Sequence, residues 1–197
     1  MHIGLNTHIL IFPEFQLGEY KLRKIQPKDI HNVFAGLSHP DVIAHYGVSY
    51  QSLEATTEQM NWFEQIVSSR EGIWWAIARS CDDALVGACG FNDWRSNHHG
   101  IDMGYWLLPQ YWRRGIMCLA LPPILRHAFL HMDIHRVHAD VEPENIASFR
   151  LLRKIGFIHE GTLRDVEHED KGYVSLHQMS LLRTDAAAIA LLEGQER

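Results

Sequence analysis

One segment of the sequence limits the possible folds more than any other. It runs from Asp102 to His131, with an extended run up to Leu108, a break at Pro109-Gln110, a basic turn, and helical apolar spacing from Ile116 onward. A strand that leads into a helix N-terminus leaves backbone N–H groups without intrahelical acceptors, and the helix dipole favours negative charge there. The turn therefore predicts either an anion-binding site or an ordinary strand-to-helix connection.

The side chains of this turn suit a phosphate. Arg113 and Arg114 carry charged donors for phosphate oxygens, and Gly115 permits a close approach of the backbone or an unusual φ. The candidate anion-binding residues are Trp112, Arg113, Arg114, Gly115, Ile116, Met117 and Cys118.

The rest of the chain predicts a mixed α/β fold. Alternating patterns rich in β-branched and aromatic residues predict strands, and apolar residues at helical spacing predict helices. The predicted strands are residues 20–25, 72–79, 84–92, 100–108, 136–141, 157–166 and 173–182. The predicted helices are residues 27–37, 52–69, 116–131 and 145–155, and residues 81–83 are a predicted hairpin turn.

Two further features concern the organisation of the chain. The sequence contains no internal repeat and no linker-like tract, so we predict a single domain over residues 1–197. Pro122-Pro123 lies inside the predicted helix 116–131, where an interior proline costs about 3 kcal/mol or more, so we expect a kink or a restart there.

Composition excludes some classes of function. With 46% hydrophobic residues among 197, the chain can bury a sizeable core. The net charge of −6 argues against a general nucleic-acid binder and is compatible with a cationic substrate. No apolar run is long enough to cross a bilayer, and the short apolar patch at residues 9–12 lacks the features of a signal peptide. We therefore expect a cytoplasmic protein without membrane partners.

The cysteine and histidine patterns indicate neither disulfides nor a metal site. Cys81, Cys89 and Cys118 are far apart in the sequence and form no metal-binding spacing, so we expect buried free thiols. His127 and His131 are four residues apart on one helix face, but no third ligand has a recognisable spacing. We expect this pair to lie at the surface and expect no metal.

A second informative segment follows the predicted strand 136–141. It reads Pro143-Glu144-Asn145-Ile146-Ala147-Ser148, then Leu151-Leu152-Arg153-Lys154-Ile155-Gly156-Phe157. Asn145 suits the N-cap of a helix, and Gly156 suits the left-handed position that ends one.

Together these two segments resemble the GNAT superfamily of acyl-CoA-dependent N-acyltransferases, and specifically its RimJ/RimL branch. The family turn reads Gln/Arg-x-x-Gly-x-Gly/Ala, and the next helix reads Asn-x-x-Ser, then Leu-x-x-Lys-x-Gly-Phe and Glu-Gly. The second pattern is intact here through Glu160-Gly161, and the likeness covers about residues 20–183. The turn departs from the pattern twice, with Trp112 in place of Gln or Arg and Met117 in place of Gly or Ala.

The resemblance implies a GNAT-like fold and direct transfer of an acetyl group from acetyl-CoA to a primary amine, without a metal. The amine of this branch can be the N-terminus of a ribosomal protein, and the branch is compatible with a homodimer. The resemblance also implies that Trp106, Leu107 and Leu108 pair with the pantetheine arm of acetyl-CoA, that Asn145 helps to hold this arm, and that the turn binds the pyrophosphate.

The resemblance also suggests catalytic residues. Many family members protonate the leaving thiolate with a tyrosine at the position of Leu152. Ser148 is therefore the candidate acid, unless its hydroxyl is bonded to a helix carbonyl. Glu167 is the favoured base and Asp102 and Glu160 are alternatives, although Glu167 lies in a charged run that is typical of a solvated surface. A water relay is a further alternative for an α-amine.

Three other functions stay open at this point. The chain can be an acetyltransferase of small-molecule amines, because fold does not determine the acceptor. It can be a non-catalytic acyl-CoA-binding module, which the missing tyrosine and the altered turn favour. It can also be an interaction domain without CoA, with Met117 as the residue that blocks the site.

Overall fold

The computed structural model of the protein describes residues 12–169 and 172–194. Most of the apolar patch at residues 9–12 lies outside this range. The strands are β1 (Phe15–Leu17), β2 (Tyr20–Lys24), β3 (Ile73–Arg79), β4 (Leu85–Arg95), β5 (Gly100–Leu107), β6 (Arg136–Val141), β7 (Ile158–Glu169) and β8 (Gly172–Leu182). The helices are α1 (Ile30–Leu37), α2 (Pro40–Ile43), α3 (Thr56–Ser68), α4 (Ile116–His131), α5 (Ile146–Ile155) and α6 (Ala186–Glu193).

The eight strands form one sheet in the order β1-β2-β3-β4-β5-β6-β8-β7. Neighbouring strands are antiparallel except for β5 and β6, which are parallel. The β5–β6 pairing covers only three positions and ends at Asp102 opposite His138. The remaining halves of these two strands separate, and this opening in the sheet positions the candidate site.

Each face of the sheet carries its own hydrophobic core, because successive strand residues point to opposite faces. On β5, Met103 and Leu107 pack into the core beneath α4, while Trp106, together with Leu108 just after the strand, packs into the core beneath α1 and α3. The α4-side core includes Leu121, Ile124, Leu125, Val137 and Phe157. The α1-side core includes Val33, Leu37, Phe63, Trp74 and Ala76. The separated part of β5 therefore presents side chains to both layers.

Most of the predicted elements are confirmed. The predicted helix 116–131 coincides with α4, and the predicted turn at residues 81–83 joins β3 to β4 with Asp83 at a φ of 60°. The predicted helix 27–37 is a short 3₁₀ turn, Pro27–Asp29, followed by α1. Three short elements, β1, α2 and α6, were not predicted.

Of the kink or restart predicted at Pro122-Pro123, the restart is wrong, since α4 continues through both prolines. The kink stays a prediction. The two residues lie on a half-buried side of the helix, whereas Leu121, Ile124 and Leu125 beside them are fully buried. Burying each of these large side chains stabilises the helix by about 1.5–3 kcal/mol, which offsets the lost backbone hydrogen bonds.

The predicted burial of the thiols holds only in part. All three cysteines are free, but Cys81 is exposed in the β3–β4 turn, Cys118 is half-buried and only Cys89 is buried. The His127 ring is half-buried against the Trp75 indole, with 5.9 Å between the ring centroids, so the prediction of a surface pair fits only His131. Among the described residues, no helix is long and apolar enough to cross a membrane.

Candidate functional site

A cavity of about 880 Å³ opens where β5 and β6 separate. This volume is in the range of small-molecule and cofactor sites. Two strands form part of its walls, with residues 103–107 of β5 and residues 139–141 of β6. The other wall residues come from three segments: in and just after α2 (41, 42 and 44–46), around the start of α4 (111–113 and 115–118), and around α5 (144–148, 151 and 152). The strand, turn and helix that the sequence singled out therefore meet at one site.

The turn before α4 has the backbone geometry of an anion-binding site. Gly115, the residue that precedes α4, has a φ of 74°, and Arg113 has a φ of 59°. These two left-handed residues redirect the chain from the sheet into the helix. The backbone N–H groups of Ile116, Met117 and Cys118 lie in the first helical turn, where they have no intrahelical acceptor, and all three residues line the cavity. The turn can therefore hold the pyrophosphate of a nucleotide.

Trp112 has a structural role in this turn. Its side chain is 41% exposed, and its indole Nε1–H donates a hydrogen bond of 2.8 Å to the carbonyl oxygen of Leu107. The indole therefore ties the turn to the end of β5. This is how the chain accommodates a residue that lacks the polar group of Gln or Arg.

The other predicted anion-binding residues are divided. Arg113 lines the cavity, whereas Arg114 does not, and its guanidinium lies 5.3 Å from the centroid of the Tyr111 ring. The side chain of Met117 is 8% exposed and packs in the α4-side core while also lining the cavity. Of the three residues predicted to pair with the pantetheine arm, Trp106 and Leu107 line the cavity. Leu108 does not line it and packs in the α1-side core.

Ser148 and Asn145 both lie at the cavity. The Asn145 side chain accepts a hydrogen bond of 3.1 Å from the backbone N–H of Ser148, which confirms the predicted N-cap. The Ser148 hydroxyl lies 2.7 Å from the hydroxyl of Tyr105, so its partner is a side chain on β5. Gly156 ends α5 with a φ of 114°, as predicted.

Tyr105 is the functional candidate that the sequence analysis missed. It lies on the separated part of β5 and lines the cavity beside Ser148. Burial raises the pKa of the Tyr105 phenol, and this effect exceeds the opposing one of the Ser148 hydrogen bond. The phenol therefore stays protonated and can donate. The sequence signal was present, since Tyr105 lies in the strand that enters the turn.

The predicted bases are not among the residues that line the cavity. Burial would raise the pKa of Asp102, but hydrogen bonds from His138 and Arg95 lower it below its ordinary value. The hydrogen bond from Arg136 lowers the pKa of Glu160 to about 2. Asp102, Glu160 and Glu167 are all missing from the residues that line the cavity.

Glu167 in particular is exposed on β7, the edge strand beyond β8. The structure therefore does not bring it together with Ser148, and its role as a base stays a prediction.

The cavity has other ionisable groups on its walls. Asp41, Asp140 and Glu144 contribute carboxylates, and His45 contributes an imidazole. The Nδ1 atom of His45 lies 2.9 Å from Oε2 of Glu142, a residue that is 8% exposed and directly follows β6. Among the residues that the structure describes, no cluster of three His, Cys, Asp or Glu side chains is arranged to hold a metal.

Comparison with known proteins identifies the class to which this fold and cavity belong. The family model of the acetyltransferase (GNAT) domain matches residues 20–158. The chain belongs to the GNAT acetyltransferase family, whose members use acetyl-CoA.

A relative agrees with this assignment, and solved structures share the fold. The uncharacterized N-acetyltransferase YoaA of Bacillus subtilis is 30% identical over 161 residues, which are 81% of this chain and 91% of YoaA. The structure of spermidine N-acetyltransferase from Vibrio cholerae, in complex with CoA and spermine, has a TM-score of 0.75 and 15% identity, over 85% of this chain and 97% of that chain. Ribosomal-protein-S5-alanine acetyltransferase from Vibrio fischeri has a TM-score of 0.76 and 18% identity, over 88% and 98%.

Proposed function

We propose that the protein transfers the acetyl group of acetyl-CoA to the N-terminal amine of a protein, as a RimJ/RimL-like member of the family. The observation that carries the proposal is one cavity with the N-terminus of α4 on one wall and the Tyr105–Ser148 hydroxyl pair on another. The helix N-terminus can bind a pyrophosphate, and the hydroxyl pair can donate a proton to a leaving thiolate.

The turn and β5 are proposed to hold acetyl-CoA, which supplies the activated acetyl group. Arg113, Gly115 and the first N–H groups of α4 would bind the pyrophosphate. The backbone of Trp106 and Leu107 lies where β5 has separated from β6, so this strand segment can pair with an extended pantetheine arm. Asn145, at the start of α5, lies on the facing wall.

Ser148 is proposed to protonate the thiolate with the help of Tyr105. Their hydroxyl groups are 2.7 Å apart, so a proton that Ser148 donates can be replaced from the Tyr105 phenol. This pair takes the place of the family tyrosine, whose position is occupied by the fully buried Leu152.

The walls favour a cationic acceptor. They carry the carboxylates Asp41, Asp140 and Glu144, against one arginine, Arg113, at the turn. Amines that are protonated at neutral pH are attracted by such a surface. The names of the structural neighbours point to two classes of acceptor, polyamines and protein N-termini, so a polyamine is the second candidate.

An acetylation assay tests the proposal. We expect the protein to acetylate a peptide that begins with alanine at its α-amine, detected by mass spectrometry and by release of CoA, faster than spermidine. Faster acetylation of spermidine would support the small-molecule alternative. Binding of acetyl-CoA without acetylation of any primary amine would contradict an enzymatic function and favour a non-catalytic acyl-CoA-binding module.

A second assay tests the proposed acid. Ser148→Ala is expected to lower kcat about 10- to 100-fold, because the thiolate loses its nearest proton donor, with little change in the Kd of acetyl-CoA. An unchanged kcat would refute the role of Ser148 and leave the acetyltransferase assignment intact. A cytoplasmic location and a homodimer stay predictions.

A further inference from the structure

We propose, on the basis of the acetyl-transfer function above, that His45 takes the proton from the attacking amine and that the buried Glu142 holds the His45 ring in place. The role concerns the proton of the acceptor, for which the sequence pointed to Glu167, Asp102 or Glu160. None of those three carboxylates lines the cavity, whereas His45 does.

The contact between His45 and Glu142 fixes the ring. A carboxylate accepts hydrogen bonds, so Nδ1 of His45 donates its proton across the 2.9 Å to Oε2 of Glu142. This leaves Nε2 of the same ring as the basic nitrogen. A carboxylate that holds a histidine in one tautomer is the arrangement by which catalytic imidazoles are kept ready to accept a proton.

The backbone around His45 is held at both ends. Pro40 starts α2, and its carbonyl oxygen accepts a hydrogen bond of 3.0 Å from the N–H of Ala44. After His45, the N–H of Tyr50 donates a bond of 2.9 Å to the carbonyl oxygen of Leu37, the last residue of α1. The His45–Glu142 contact spans 97 residues of sequence and links this segment to the end of β6.

The other ionisable side chains on the walls are less suited to the task. Nε2 of Gln178 donates to the carboxylate of Asp140, and His138 is 3.5 Å from the same oxygen. Burial raises the pKa of both Tyr46 and Tyr105, so these phenols are donors. An imidazole is ordinarily a stronger base than a carboxylate.

The transfer step balances with these residues. A bond forms between the acceptor nitrogen and the acetyl carbon, and the bond from that carbon to the sulfur breaks with its electron pair on sulfur. The acceptor attacks as the neutral amine, after its ammonium form has released one proton to water, and the nitrogen then loses its second proton to Nε2 of His45. The thiolate gains one proton from the Ser148–Tyr105 pair, and exchange with water restores both groups.

Substitution of His45 tests the proposal. The assay uses the amine that the wild-type protein acetylates fastest among three: an alanine-initiated peptide, a serine-initiated peptide and spermidine. With this amine, His45→Gln is expected to lower kcat about 100-fold or more. The Kd of acetyl-CoA should stay within twofold. Imidazole added to His45→Ala should restore part of the lost turnover, which a merely structural role would not allow.

Glu142 is tested through its dependence on His45. Glu142→Gln is expected to lower kcat about 10-fold, since the ring loses its carboxylate partner. The double variant His45→Gln/Glu142→Gln should be no slower than His45→Gln alone, because Glu142 acts through His45. Additive losses would overturn its positioning role. His98→Gln, an exposed site outside the cavity, is the matched control.

The outcomes separate this proposal from the function on which it depends. If the wild-type protein is active and His45→Gln has a normal kcat, the role of His45 is overturned but the acetyl-transfer function is not. A loss in Glu167→Gln together with normal His45→Gln would restore the base predicted from the sequence. A folded wild-type protein that acetylates none of the three amines would overturn both proposals.

Discussion

The indole of Trp112 is the residue-scale feature that ties the turn to β5. Trp112→Phe keeps an aromatic ring but removes the 2.8 Å hydrogen bond to Leu107. We expect the Kd of acetyl-CoA to rise about 2- to 10-fold, which corresponds to the net free energy of one hydrogen bond. Calorimetric titration checks this, with Trp94→Phe outside the cavity as the control. An unchanged Kd would show that the indole does not shape the site.

His127 is expected to make stability depend on pH. Burial and, as the smaller effect, the neighbouring His131 together lower the pKa of His127 to about 4. Its pKa in the unfolded chain is about 6.5, so below that pH the unfolded state binds more protons than the folded state. The free energy of unfolding should therefore fall as pH falls from about 6.5 to 4, by on the order of 2–3 kcal/mol from this group.

Urea unfolding at a series of pH values measures this effect. His127→Phe should remove that part of the pH dependence, because phenylalanine can pack against Trp75 without titrating. The same substitution at the exposed His131 is the control. If wild type and His127→Phe lost stability in parallel between pH 6.5 and 4, the buried imidazole would not be the cause.

At the scale of single residues, the sequence predicted some features of the candidate site and missed others. It predicted that Asn145 caps the helix that contains Ser148, because a capped helix is a local pattern. It missed Tyr105 as the partner of Ser148, since the two residues are 43 positions apart and only the fold joins them. It also favoured Glu167, which lies on the edge strand β7 and does not line the cavity. The strand order that places it there leaves no trace in the local sequence.

At the scale of elements, Gly156 at the end of α5 packs closely against α6. A Cβ at Gly156 would lie 2.2 Å from the Cβ of Ala187, and the residue has a φ of 114°. Gly115 also has a positive φ, but a Cβ there would meet no atom within 4 Å. We expect Gly115→Ala to cost about 1–2 kcal/mol of stability from backbone strain alone.

Gly156→Ala should cost about 2–5 kcal/mol, because overpacking against α6 adds to the same strain. Urea unfolding of the two variants gives the comparison. Equal losses would mean that α6 moves aside freely and does not anchor the end of α5.

The helices and strands with strong periodic patterns were predicted well, and α4 matches its predicted range. The interior prolines do carry a local cost in α4, but tertiary packing outweighs it. The apolar residues beside Pro122 and Pro123 are fully buried. The helix α2 has only four residues, which is too short for a recognisable periodic pattern. The two residues after it, Ala44 and His45, nevertheless form part of the cavity wall.

At the scale of the whole molecule, the separation of β5 and β6 is the feature on which function depends. The family resemblance predicted an α/β sheet, but no local pattern records that the parallel pairing stops after three positions. The single domain stays a prediction, supported by a continuous sheet of eight strands.

The central claim is that the cavity between β5, β6 and the N-terminus of α4 holds acetyl-CoA, and calorimetric titration of the purified protein with acetyl-CoA tests it most directly. We predict binding of one acetyl-CoA per chain with a Kd in the micromolar range, or about −8 kcal/mol. No detectable binding by the folded protein would mean that Trp112 and Met117 have closed the site, and it would contradict the transferase account.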